Sequence, residues 1–239
     1  MDNKISIVIR TYNEGKHIGQ LLESIEKQSY RNYELIIVDS GSNDKTLEII
    51  KKYNVNLVLI KKEEFNYSYA SNVGVKNSTG DIVCFLSGHS IPVNNNYLET
   101  INTIFQNSTI GAMYGDEIAL SDGSITEKVY NFLGYVKNKI KGFGKKVFLE
   151  TKIHPGIFSC NNAAARRILL EKHPFKIELG KGGEDVEVAY RILQDGYFIA
   201  KVPKLLVRHS HGKKFRDFVQ QLRDWKMMYQ KVERFIDGD

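Results

Sequence analysis

Cysteine is scarce in this chain: only Cys84 and Cys160 occur in 239 residues, in different apolar contexts and with no CxxC pair. That argues against a disulfide scaffold and for two reduced thiols in a cytosolic protein. Four prolines and a composition that is 42% hydrophobic and 26% charged exclude a disordered chain. No apolar run approaches the roughly 18 to 20 residues of a membrane span. The opening MDNKISIVIRTYNEG also lacks the apolar core of a secretory signal. The expectation is a soluble, cytoplasmic protein, attached at most to the inner face of a membrane. Both common phosphate-loop patterns are missing too: no GxGxxG follows the first strand, and no GxxxxGK[ST] occurs. A bound nucleotide would need its diphosphate held another way, most simply by a divalent cation.

What is present is an alternation of strand and helix signals. Apolar runs at residues 5–9, 34–38, 55–60 and 82–86 are separated by helix-spaced segments at 14–27, 43–50 and 69–77. Continuous apolar strands separated by helices predict an α/β fold with a Rossmann-like, mostly parallel central sheet covered on both faces. The second half is less regular. Residues 111–120 read as a sheet edge, 137–146 (KNKIKGFGKK) as a basic loop and 159–170 as a turn and helix. A helix at 184–195, a strand at 198–207 containing Pro203 and a long amphipathic helix at 215–235 follow. One domain over residues 1–212 is expected, with a nucleotide-binding half at 1–100 and an acceptor-binding half at 101–212. Residues 213–239 form a C-terminal helical extension.

The net charge of +6 and pI near 9.1 suit an anionic ligand or surface. The lysines are dispersed and no nucleic-acid motif appears, so nucleic acid is not expected as a partner. Asp39 ends a buried strand, where ligands of parallel sheets bind, and could accept the imide N–H of a pyrimidine; helix capping would use the same residue types. Glu184 and Asp185 open a helix after Gly180-Lys181-Gly182-Gly183. There they either complement the helix dipole or supply a general base on a loop that closes over substrate. His209 and His211 flank Ser210 beyond a strand, as metal ligands or as ordinary surface residues.

The segments SIVIRTYNEGKHI, ELIIVDSGSNDKTLEI, YASNVGVKNSTGDIVCFLSGHSIP, GEDVEVAYRILQDGY and VPKLLVRHSHG, in this order, resemble a family 2 glycosyltransferase with the GT-A fold. VDSGS, the FL…IP pattern and HSH are similar to its bacterial rhamnosyltransferase-like branch, which builds surface polysaccharide. The resemblance implies an inverting transfer of a hexosyl or deoxyhexosyl unit from a nucleoside-diphosphate-sugar to a saccharide or lipid-linked saccharide. It implies that Thr11, Asn13, Glu14, Asp39, Ser42, Asn72, Ser87 and Gly88 line the nucleotide-sugar pocket, with Asp39 on the base. Asp185, with Glu184 beside it, would deprotonate the acceptor hydroxyl.

The departure is at the end of the fourth strand, where the family usually has Asp-x-Asp and this chain has Ser87-Gly88-His89. His89 could replace the second acid as a metal ligand, joined by His209 or His211; imidazole then favours Mn²⁺ over Mg²⁺. The site could instead be metal-independent, with basic side chains on the diphosphate, or the chain could be a non-catalytic nucleotide-sugar or carbohydrate-binding relative. An acceptor would meet residues 158–162 and 180–183. Tyr67, Tyr69, Phe143 and Trp225 are stacking candidates, although the helical spacing of Trp225 with Leu222 and Met228 favours core packing. The basic loop and C-terminal helix could dock on an anionic membrane, or the helix could pack on the core or in a homodimer.

Overall fold

In the computed structural model the chain is described for residues 2–141, 147–180, 182–211 and 215–238, with side chains at 135, 137–141, 215 and 218 left aside. β1 (Ile5–Thr11), β2 (Tyr33–Asp39), β3 (Asn56–Leu59) and β4 (Ile82–Ser87) pair in parallel, with β1 between β2 and β4. Alternate residues of β1 serve two separate cores. Ile5, Ile7 and Ile9 face α1 (Ile18–Glu26), while Val8 faces α3 (Tyr67–Lys76). This double burial explains why the strands read as unbroken apolar runs. α3 starts at Asn66, whose side chain accepts the N–H groups of Ser68 and Tyr69. It then passes so close to β1 that a Cβ at Gly74 would lie 2.2 Å from Val8 Cγ1.

Beyond β4 the sheet becomes mixed. β8 (Asn162–Arg166) is antiparallel to both β4 and β6 (Ile110–Ile118), and β6 runs parallel to β9 (Phe198–Arg208). β5 (Ile91–Pro92) and β7 (Phe148–Glu150) add antiparallel to β9. The order is β3-β2-β1-β4-β8-β6-β9-β5. β5 lies at the far edge, yet only Gly88, His89 and Ser90 separate it from β4. The sheet must therefore curl until its edge returns to the end of β4.

Three expectations for the second half are corrected. Residues 111–120 belong to an interior strand rather than a sheet edge. In 159–170, the alanines of β8 form a strand ahead of α6 (Arg167–Lys172), because only small side chains fit between the two cores at that point in the sheet. Residues 137–141 continue α5 (Ile125–Lys141) rather than opening a basic loop, while 142–146, including Phe143, lie outside the described residues. The C-terminal helix, α8 (Phe215–Asp237), packs on α7 (Glu184–Gln194) through Val232, but Trp225 is 40% exposed and not in the core.

The register of β6 against β9 jumps between Gly115 and Asp116, from Val202 to Leu206. The excess lets β9 carry Pro203, which has no N–H for a ladder. A buried amide holds the distortion: Asn162 Nδ2 donates to the carbonyls of Asp116 (2.9 Å) and Leu205 (2.8 Å), and its Oδ1 accepts from the Tyr97 hydroxyl (2.9 Å). A Cβ at Gly115 would lie 1.8 Å from the Leu205 oxygen. Phe158, Cys160 and Asn162 are buried, so within the expected acceptor stretch 158–162 only Ser159 and Asn161 keep partial exposure. Asn162→Ala should cost roughly 3 kcal/mol in urea unfolding, about 1 kcal/mol for each of three hydrogen bonds.

Candidate active site

The carboxyl ends of β1 and β2 are laced into one loop system. Asp39 is fully buried and accepts four hydrogen bonds: from Gly41 N (3.0 Å) and Ser42 N (2.8 Å) on Oδ1, and from Thr11 Oγ1 (2.8 Å) and Ser42 Oγ (2.6 Å) on Oδ2. Asn13, at φ 54°, takes the Asn43 N–H on its Oδ1 (2.9 Å) and gives its own N–H to Ser42 Oγ (2.8 Å). The side chain expected to receive a base is thus turned onto its own loop. A base reaching Asp39 would have to displace the Thr11 or Ser42 hydroxyl.

Ser87, Gly88 and His89 form the tight turn from β4 to β5. Ser87 and Ser90 share a hydroxyl–hydroxyl bond of 2.7 Å, and the Gly88 N–H reaches the Arg10 carbonyl at 3.0 Å. A Cβ at Gly88 would lie 2.5 Å from Glu14 Cγ, so glycine is what lets the β1 loop close over the turn. Glu14 turns its carboxylate onto this turn, with Oε1 2.7 Å from His89 Nδ1. The expectation for Asn72 is corrected. Its carboxamide clamps the main chain of Phe175, donating to the carbonyl and accepting the N–H, both at 2.9 Å, so its polar ends serve the fold.

His89, His209 and His211 come together from separate parts of the chain. One nitrogen of each lies within 4.8 Å of the other two. The rings of His89 and His209 stack at 4.7 Å and 8°, and His211 stands edge-on to both. Glu117, at the end of β6, holds His209 Nδ1 at 2.9 Å, as Glu14 holds His89. An ionised carboxylate only accepts, so a neutral imidazole at either position carries its proton on Nδ1 and presents the Nε2 lone pair. Nε2 of His89 and Nε2 of His209 are buried and find no partner among the described residues. Burial works against a charge on His209, but Glu117 outweighs it and the pKa is raised overall. Converging ring nitrogens, two of the three rings fixed from behind by a carboxylate, are a donor set suited to a divalent metal of intermediate softness.

The second group of charges surrounds Arg10, a residue that the sequence reading passed over. Its guanidinium is 3.7 Å from Glu184 and donates to Ser71 Oγ (3.2 Å) and the Cys160 carbonyl (3.4 Å), with the Tyr67 ring 5.3 Å away. Asp185, next to Glu184 at the start of α7, accepts the Val186 N–H at 2.8 Å. Burial first, and then the Glu184 carboxylate, push its pKa up to about 7, against the pull of Arg10. Burial likewise raises Glu184, whose Oε2 has no partner among the described residues. The two glycines before them pack against α8. Gly182 and Gly183 take φ of 125° and 89°, and a Cβ on either would lie 2.5 Å from Met228 Sδ or Val232 Cγ2 of α8. Arg10 joins the two groups, with its main chain on the Gly88 turn and its side chain on the acid pair.

The sequence belongs to glycosyl transferase family 2, whose pattern it matches over residues 6–173. Among curated relatives, the O-antigen chain rhamnosyltransferase WbaN of Salmonella anatum is 31% identical over 217 residues, 87% of this chain and 66% of the relative. RfbN of Salmonella typhimurium, of the same description, is 27% identical over 227 residues, covering 92% and 71%. The chain thus spans about two thirds of the length of these relatives. Among solved structures, a Pyrobaculum calidifontis mannosyltransferase in complex with GDP-Man and Mn²⁺ superposes with a TM-score of 0.65 at 23% identity, over 90% of this chain and 59% of that one. Glucosyl-3-phosphoglycerate synthase of Mycobacterium tuberculosis gives 0.66 at 19%, over 96% and 79%. The expected GT-A architecture is the fold of this chain. Among the described residues, no helix is long and apolar enough to cross a membrane.

A carboxyl whose pKa is raised on folding keeps a proton that the unfolded chain has already lost. Its contribution to stability is then greatest at low pH and is lost as pH rises from about 4 to 7, by at most about 1.4 kcal/mol per unit. Asp185→Asn should flatten that slope in urea unfolding and be more stable than the unaltered chain at pH 8.

Proposed function

We propose that this protein is an inverting glycosyltransferase, moving a hexosyl or deoxyhexosyl unit from a nucleoside-diphosphate-sugar to a saccharide or lipid-linked saccharide in bacterial surface polysaccharide synthesis. The observation that carries the proposal is the buried Glu184–Asp185 pair, joined through Arg10 to the loops at the carboxyl end of the parallel strands. A sugar hydroxyl is a poor nucleophile until a base takes its proton, and a carboxylate with a pKa near 7 combines basic strength with a substantial ionised fraction at neutral pH. Asp185 is that base, and Arg10 favours the ionised form of its neighbourhood. The donor lies across the ends of β1, β2 and β4, with the Thr11–Asn13 and Asp39–Asn43 loops around the nucleotide. The activity of the bacterial relatives, O-antigen chain rhamnosyl transfer, supports a deoxyhexose donor.

His89, His209 and His211 would hold the divalent cation, which when bound offsets the charge of the departing diphosphate. Three imidazoles favour Mn²⁺ over Mg²⁺, because Mg²⁺ prefers oxygen donors. Imidazole must be unprotonated to bind, so metal affinity should fall as pH is lowered.

A thermal-shift screen of nucleotide-sugars with and without Mn²⁺ identifies the donor, because a ligand of the native state alone raises the melting temperature. With that donor, Asp185→Asn should keep the shift and lose at least about a hundredfold in transfer, the lower end of the contribution of a general base. Full activity in this variant would dismiss Asp185 as the base. His89→Ala should abolish the Mn²⁺-dependent part of the shift; an unchanged part would place the cation elsewhere.

A further inference from the structure

α5 is amphipathic in the wrong sense for a helix packed on its own domain. Its sequence places Ile125, Val129, Phe132 and Leu133 along one stripe, spaced by four, three and one residues. That stripe points to solvent: the four side chains are 80%, 54%, 63% and 61% exposed. The one buried side chain among those described in α5 is an acid, Glu127. With Ser124 it forms a capping box, accepting the Ser124 N–H and hydroxyl at 3.0 Å, and it also takes the His211 N–H at 2.9 Å. The helix is therefore rooted beside the imidazole cluster through its polar side and offers its apolar side outward.

The charge of the same stretch is one-sided. Residues 128–149 contain six lysines and no acid, in a chain whose whole net charge is +6, and the tyrosines and phenylalanines at 130, 132, 135, 143 and 148 lie among them. An outward apolar stripe within a stretch of sequence rich in lysines and aromatics matches an anionic lipid surface, where apolar side chains enter the acyl boundary and cations meet the headgroups. A protein partner would need only the stripe, and the excess of positive charge would count against a second copy of this equally basic chain.

We propose that α5 lies in the plane of an anionic membrane and holds the imidazole cluster at its surface. The proposal concerns the placement of the protein and stands independently of the transfer reaction. It extends the docking element expected at 137–146 back along α5 to Ile125.

Flotation of the chain with phosphatidylglycerol–phosphatidylcholine vesicles, and with phosphatidylcholine alone, tests this. The expected result is salt-sensitive binding to the anionic vesicles only. Phe132→Ser/Leu133→Ser and, separately, Ile125→Ser/Val129→Ser should each weaken it by tenfold or more while leaving the thermal melt unchanged, because these side chains are already exposed. Failure of the unaltered chain to float overturns the proposal, as does undiminished binding by both variants. Light scattering on the same samples separates a rival occupant. A dimer that both variants dissociate, with no vesicle binding by the unaltered chain, assigns the stripe to a second copy. Transfer activity is not part of the readout, so an inactive protein that floats leaves the proposal standing.

Discussion

A guanidinium sealed beneath the sheet's carboxyl end has little water to solvate it, so its charge has to be met by protein groups. Arg10 meets it with Glu184, Ser71, the Cys160 carbonyl and the Tyr67 ring. Those partners come from three separate elements, which makes the arginine a fixed point for α3, α7 and the segment before β8. The cost of burying two adjacent carboxylates at the start of α7 is reduced by the same cation. Without it, burial and mutual repulsion would both favour protonation, and neither acid would be available as a base at neutral pH.

The imidazole cluster depends on a different constraint, the closure of the sheet. His89 sits in a three-residue turn, whereas His209 and His211 follow β9. They meet because β5 returns to the β9 edge and because the β6–β9 register slips at Gly115. Asn162 holds that slip with an amide that touches none of the histidines. The backing carboxylates Glu14 and Glu117 then decide which ring nitrogen is left to bind. Imidazole stands where the family usually places an acid, and its orientation is set by acids one step further out.

The parallel half of the fold was legible because a sheet covered on both faces leaves unbroken apolar runs. The second half was not, because its signals conflict. The alanines of β8 favour a helix in isolation, and only the thinness required between two cores makes them a strand. Asp39, Glu184, Asp185 and the three histidines could be singled out as polar residues at strand or helix ends. Arg10 could have been found as the one charge in ISIVIRT, at an inward position of a buried strand. Glu117 gave a weaker sign, an acid following Asp116 near a strand end. Asn72 and Glu14 were assigned to the pocket by resemblance, but their partners, Phe175 and His89, are set by tertiary packing that no local pattern encodes.

In the proposed function, ring nitrogens replace carboxylate oxygens in holding a cation beside a nucleotide diphosphate. Electron spin echo modulation of Mn²⁺ added with a nucleoside diphosphate reads the donor atoms directly. The expected result is ¹⁴N modulation from imidazole together with ³¹P coupling, with the nitrogen signal lost in His89→Ala. Phosphorus coupling with no nitrogen modulation in the unaltered protein would contradict it.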